Sequence, residues 1–215
     1  MNFSSTSAAG IVLRELTWGV RVLTTEQLQR VLDAHRNTSR PIRSLLRRLS
    51  AERLVKLHRT AAVFYEATEP IAVWKPGDAT PNFDALAWQL EKRWRSLTSR
   101  RITICWATSR AARLCGGLAT FGRRASQLEH DLGTASVTVR LHETRPELAT
   151  EWVGEDILRR DFAPSCPSMK KIPDGAIVRN GTILRVSEFG GQYSAARLRR
   201  FHTHFKKHRV PYDLW

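Results

Sequence analysis

The sequence predicts an α/β protein of two domains, the first with the element order of a winged helix-turn-helix. Three observations carry this. Three helical patterns followed by β-prone segments precede residue 76. A turn-rich break without apolar periodicity spans residues 76–82. Asn180 and Gly181 stand between two β-prone runs, which helical patterns flank on either side.

In chain order, residues 1–10 are a polar start, expected to be flexible. Residues 11–76 form the first domain. Residues 77–98 are read as a linker and connecting helix, and residues 99–215 as the second domain. The first helix, over residues 11–18, is the weakest pattern. Thr24 followed three residues later by Gln27 has the form of a capping box, with Leu28, Val31 and Leu32 then at helical spacing. A third helix opens at Thr38 and Ser39 with Pro41 in its first turn. Ile42, Leu45, Leu46 and Leu49 share one sector of it, and Arg40, Arg43, Ser44, Arg47 and Arg48 the opposite one. Residues 57–66 read as a strand, Thr68 to Pro70 as a turn, and residues 71–74 as the hairpin's second strand. Lys56, His58 and Arg59 fall where a wing meets backbone phosphate.

In the second part, residues 83–97 and 146–160 read as helices and residues 102–106 as a short strand. Residues 127–141 fit either a helix or a helix followed by a strand. Residues 172–178 and 183–188 read as a hairpin about a type I′ turn. A basic amphipathic helix over residues 192–208 and a short strand over residues 211–215 close the chain.

Composition bounds the function. The chain has 215 residues, 42% apolar and 26% charged, which excludes disorder as the main state. No apolar run approaches the roughly 18 residues of a membrane helix, so no membrane partner is expected. The start shows no basic region ahead of an apolar one, and a cytoplasmic location is expected. Three cysteines without a Cys-x-x-Cys pair argue against a disulfide framework or a four-thiolate zinc site, and fit a reducing compartment. Lys and Arg number 35 against 20 Asp and Glu, a formal charge of +15. Such an excess attracts polyanions, nucleic acid first. The arginines of the third helix suit phosphates or guanine edges in a major groove of double-stranded DNA. Binding of that kind requires no cofactor.

Three carboxylates form the candidate chemical site. Glu155 lies on the predicted helix, Asp174 begins one hairpin strand and Glu188 ends the other. If they converge, they suit Mg²⁺ or Mn²⁺, hard cations that serve phosphoryl chemistry as Lewis acids. A strict two-residue turn at Asn180 and Gly181 would oppose Asp174 to Ser187, so that Asp174 and Glu188 point oppositely. A bulge near Gly175 would repair this. His204 and His208 have i,i+4 spacing, yet no Glu follows the first as in a zinc protease. A phosphate-contacting face with Arg199, Arg200, Lys206 and Lys207 is the better reading of that helix. His130 reads as a structural histidine, hydrogen-bonded within the second domain.

Pro173, Asp174 and Glu188 across a hairpin resemble the PD-(D/E)xK nuclease motif, and Glu155 matches its helix acid. The chain over roughly residues 11–215 resembles the plasmid replication-relaxation family. The matching stretches are Thr25 to Leu28, the Arg-rich residues 43–57, Leu128 to His130, Trp152 to Glu155, Pro173–Asp174 and Glu188. The resemblance implies a winged helix fused to a restriction-endonuclease-like α/β domain. It implies a DNA-binding protein of a mobile element, acting in plasmid replication, mobilisation or transcription control. Partners on this reading are duplex DNA, a second copy of the chain, and replication or mobilisation proteins. The alternative is a Mg²⁺-dependent DNA endonuclease, and a third reading leaves the second domain only dimerisation or partner binding. The sequence departs from the motif at its lysine, where Gly190 stands; Lys170, Lys171 and Gln192 are candidate substitutes.

Overall fold

A computed structural model describes residues 7–35, 42–120 and 127–215. The chain is α/β. In its first sheet β4 (Arg100–Ala107) is the middle strand, antiparallel to β1 (Leu23–Thr24) and β2 (Val55–Ala62). The second sheet runs β3 (Ala72–Trp74), β8 (Tyr212–Leu214), β7 (Thr182–Glu188), β6 (Gly175–Arg179), β5 (Trp152–Gly154). Only its β7–β8 pair is parallel.

The amino-terminal helices follow their sequence signals. α1 (Ala8–Arg14) runs into a π-helical turn over Glu15–Gly19. α2 (Thr25–Ala34) opens with the expected capping box: Gln27 N donates to Thr24 Oγ1 at 3.0 Å, and Thr24 N to Gln27 Oε1 at 2.9 Å. α3 (Ile42–Ala51) buries Ile42, Leu45, Leu46 and Leu49. They join Leu28, Val31 and Leu32 of α2 in one core. The expected opening of α3, with Arg40, lies outside the described residues.

The predicted hairpin is corrected. β2 pairs with β4 along its whole length, from Val55 opposite Ala107 to Ala62 opposite Arg100. Residues 71–74 instead give β3, which pairs with β8 in the other sheet. Burial decides the matter. Trp74 is buried against Tyr212, ring centroids 5.5 Å apart, in a core with Phe201 and Phe205. Near neighbours in sequence gave no hint of that long-range partner. The segment 77–98 is likewise no mere linker. Its helix α4 (Phe83–Arg95) shares a cluster with Tyr193, Leu198 and Leu214. The chain thus leaves the first sheet after β2, contributes β3 and α4 to the second unit, and returns with β4. The break at residues 76–82 does not divide the two sheets.

α5 (Ser109–Cys115) follows β4, and then α6 (Leu128–Thr144), one continuous helix, stands between the two units. Its Ala135 and Val139 enter the first core, while Val137 meets Trp152, Ile177 and Phe189 of the second. A helix buried on several sides has no single apolar stripe, which is why its sequence pattern was ambiguous. Gly133 permits the close approach: a Cβ there would lie 2.1 Å from the Phe189 ring.

Residues 146–160 do not form the expected single helix. They fold as α7 (Pro146–Ala149), β5, the short α8 (Glu155–Ile157) and the start of a second π-helical turn. Trp152 opposes Ile177 across the sheet and is fully buried, and this pairing overrides helical spacing. The hairpin β6–β7 forms as expected, with positive φ at Asn180 (50°) and Gly181 (74°). α9 (Ala195–Lys207), capped by Ser194, covers one face through Phe201 and Phe205.

Candidate nucleic-acid interface and acid cluster

The apolar positions of α3 point into the core, so its arginines must point out. Arg43, Ser44, Arg47 and Arg48 are exposed. Beside α3 runs β2, an edge strand whose Lys56, Leu57, His58 and Arg59 are all exposed. Arg43, Arg47, His58 and Arg59, with Thr25 and Glu26 of α2, line one groove of about 440 Å³. Several arginines elsewhere are paired: Arg30 holds Glu143 at 2.7 Å, and Arg179 holds Glu151 at 2.6 Å. Among the described residues none of Arg43, Arg47, Arg48, Lys56 or Arg59 has a carboxylate partner. Unpaired cations flanking a groove are arranged for a polyanion.

The acids form the second cluster. β6 and β7 pair with Gly175 opposite Ser187, after a register shift between Ile177 and Val178. The irregularity lies two residues from its expected place, but its effect is the one required. Continued by one residue, the register sets Asp174 opposite Glu188. On the other side Gly154 opposes Gly175, and Glu155 N donates to the Asp174 carbonyl at 3.0 Å. Glu155, Asp174 and Glu188 therefore occupy one transverse row at the same end of three adjacent strands.

Their side chains take different hydrogen-bond partners. Glu155 accepts from Arg21 at 2.7 Å and from Arg159 at 2.6 Å. Asp174 meets His130 Nε2 at 2.9 Å and accepts from Phe189 N at 2.7 Å. Glu188 accepts from the Tyr193 hydroxyl at 2.8 Å, while its Oε2 is buried without a hydrogen-bond partner. Among the described residues no group of three or more His, Cys, Asp or Glu is placed to hold one metal ion.

Burial and neighbouring charge set the protonation of this cluster. Burial pushes the Glu188 carboxyl up to about 8, and the Asp174 charge adds to it, against the pull of Tyr193, Lys171 and His130. His130 is disfavoured as a cation by burial, but Asp174, with Glu188 and Asp131 behind it, brings it up to about 9. Asp131 is pushed up to about 6, because burial outweighs its partner Arg21.

Of the candidate lysine substitutes, Lys171 feels the Glu188 charge, and burial lowers its pKa. Lys170 is exposed and acts on His208 instead, and Gln192 is exposed at the start of the α9 segment. Position 190 is closed to a side chain. A Cβ on Gly190 would lie 2.7 Å from Leu90 Cδ2, and its N–H donates to the Trp215 carbonyl at 2.9 Å. On α9, Arg199 pairs with Asp84 at 2.6 Å, Lys206 reaches Thr80 at 3.5 Å, and Arg200 and Lys207 are exposed. His204 contacts the Ser168 carbonyl at 2.7 Å, and His202 the Tyr212 hydroxyl at 2.9 Å.

Arg21 is the residue that sequence reasoning missed. It bonds Asp131 at 3.0 Å, Glu155 at 2.7 Å and Asp156 through two nitrogens at 2.7 and 2.8 Å. With His130, Thr120 and Asp174 these groups line a cavity of about 40 Å³, room for two or three waters. An isolated arginine between two helices carries no motif, so only the three-dimensional fold reveals it. Comparison of the chain with protein-family models, curated proteins and solved structures finds no match.

Proposed function

We propose that the protein binds double-stranded DNA through a winged helix-turn-helix, with α3 in the major groove and β2 as the wing. The single observation that carries this reading is the groove shared by Arg43 and Arg47 of α3 with His58 and Arg59 of β2. A helix and the strand that follows it present arginines to one surface, and none of those arginines is neutralised by a carboxylate among the described residues. The charge of +15 supports the same reading. The resemblance to the replication-relaxation family extends it to control of replication, mobilisation or transcription in a mobile element.

The test is a salt titration of duplex binding. Wild type is expected to bind with a steep dependence on salt. Arg43→Ala/Arg47→Ala should weaken binding and lower the log–log slope by about two, one counterion per lost phosphate contact. Wild-type affinity and slope in the double variant would remove the recognition-helix assignment.

A second reading is a Mg²⁺-dependent endonuclease, favoured by the row Glu155, Asp174 and Glu188 with Lys171 close to Glu188. Hydrolysis needs a positioned and activated water as well as a metal. With no side chain at Gly190, and Asp174 engaged by His130, weak or absent cleavage is expected. Supercoiled and linear DNA incubated with Mg²⁺ or Mn²⁺ decides this; cleavage lost in Asp174→Ala would promote the enzyme reading.

A further inference from the structure

α9 carries five Lys and Arg residues and no Asp or Glu. Its Leu198, with Tyr193 just before the helix, packs against Leu86 and Leu90 of α4, and the seam between the helices reaches the surface. Two clefts lie along it. The first, about 430 Å³, is lined by Asp84, Trp88, Glu91, Gln192, Tyr193 and Ser194. The second, about 650 Å³, is lined by Thr80, Arg199, Lys206 and Lys207 among others. Both carboxylates on this seam are already paired, Asp84 with Arg199 and Glu91 with Arg95. Lys92, Lys206 and Lys207 have no carboxylate partner among the described residues, so the charge along the seam is net positive.

Trp88 is 60% exposed, the one aromatic among the large exposed apolar side chains described. Lys92 Nζ stands 5.1 Å from its ring centroid and keeps a cation beside it. A tryptophan in water forfeits the burial that usually places this residue in cores and interfaces. Next to unpaired cations, the natural occupant is an unpaired nucleobase with its phosphates. Every base offers a π-face to stack on an indole, and the backbone offers charge.

We propose that the α4–α9 seam binds single-stranded nucleic acid, a base stacking on Trp88 and the phosphates following Lys206 and Lys207. A duplex keeps its bases stacked on one another and gives the indole no partner. A lipid surface fits less well, because the neighbours of Trp88 are Asp84, Glu91 and Gln192 rather than an apolar face. At about 1.5 Å per residue α9 is about 20 Å long, enough to track a short stretch of single strand. The seam shares no residue with the α3–β2 groove, so this proposal and the duplex reading fail independently.

The experiment measures anisotropy of a labelled oligothymidylate, which cannot pair with itself, and of a labelled duplex. Trp88→Ala should weaken oligothymidylate binding about tenfold, the size of one base–aromatic stack, and leave duplex binding unchanged. Trp88→Phe should recover most of the loss. Lys206→Ala/Lys207→Ala should flatten the salt dependence for the single strand. Arg43→Ala/Arg47→Ala should spare it. Wild-type oligothymidylate binding by Trp88→Ala would overturn the proposal, as would its loss in Arg43→Ala/Arg47→Ala. Binding to phosphatidylserine vesicles that needs Trp88, with oligothymidylate binding that does not, would replace the nucleic acid with a lipid surface.

Discussion

Glu188 and His130 hold protons that the unfolded chain would release, and this fixes how stability depends on pH. The Glu188 carboxyl, ordinarily near 4.5, is pushed up to about 8 by burial and then by Asp174. Its contribution is fully present below the unfolded value and is lost as pH rises through 8. His130 goes from 6.5 to about 9, because Asp174, Glu188 and Asp131 outweigh its burial. That contribution is present below 6.5 and lost as pH rises through 9. Both losses run in the same direction, so stability should fall from pH 4.5 toward pH 9. Glu188→Gln keeps the neutral, hydrogen-bonded form at all pH values. Thermal melts at pH 9 should place it above wild type by roughly 1–2 kcal/mol, or about 3–6 °C for a chain of this size. Equal melting temperatures at pH 9 would show that Glu188 is not a buried neutral acid. The carboxylates themselves were legible in the sequence, because acids at strand ends stand out. Their partners were not. His130, Arg21 and Tyr193 meet them only through long-range packing that leaves no local pattern.

Helices with one buried face were read correctly, and the helix buried on two sides was not. α2 and α3 each present a clean period, because one side meets the core and the other meets water, while the β6–β7 hairpin is marked by its Asn180–Gly181 turn even though Ala176 and Ile177 enter two different cores. α6 lies between two cores, and β5 is a three-residue edge strand with Trp152 and Gly154 buried. There the side-chain pattern carries little information about which element forms. The end of β7 shows the same limit from the other direction. Gly190 looked like a missing lysine, a defect in a motif. In the fold it is where α4 closes on the strand, with Leu90 against its Cα and Trp215 bonded to its N–H. Gly190→Lys, which restores the motif on paper, should therefore create no cleavage activity. Overpacking against Leu90 should cost roughly 1–3 kcal/mol. Metal-dependent nicking of plasmid by this variant, with an unchanged melting temperature, would contradict the packing argument.

At the scale of the whole molecule the two sheets are interlocked rather than strung together. Among the described residues β4 is the only strand that pairs with β1 and with β2, yet it follows β3 and α4, which belong to the second unit. α6 lends Ala135 and Val139 to the first core and Val137 to the core of the second sheet. Arg21 ties the segment after α1 to Asp131 on α6 and to Glu155 and Asp156 after β5. A fragment ending at residue 76 keeps α1, α2, α3 and β2 but loses every strand pairing of the first sheet and the α6 side of its core. Such a fragment buries too little apolar surface to offset the entropy of ordering its chain. It is expected to lack a cooperative thermal transition by circular dichroism and to give poorly dispersed amide resonances. The full chain is expected to unfold in one step, with far-ultraviolet ellipticity and tryptophan fluorescence melting together. If the fragment gave a dispersed spectrum and bound duplex DNA with full affinity, the first unit would be a self-sufficient domain. β4 would then serve as a tether between two independent bodies, and not as the strand on which the first sheet is built.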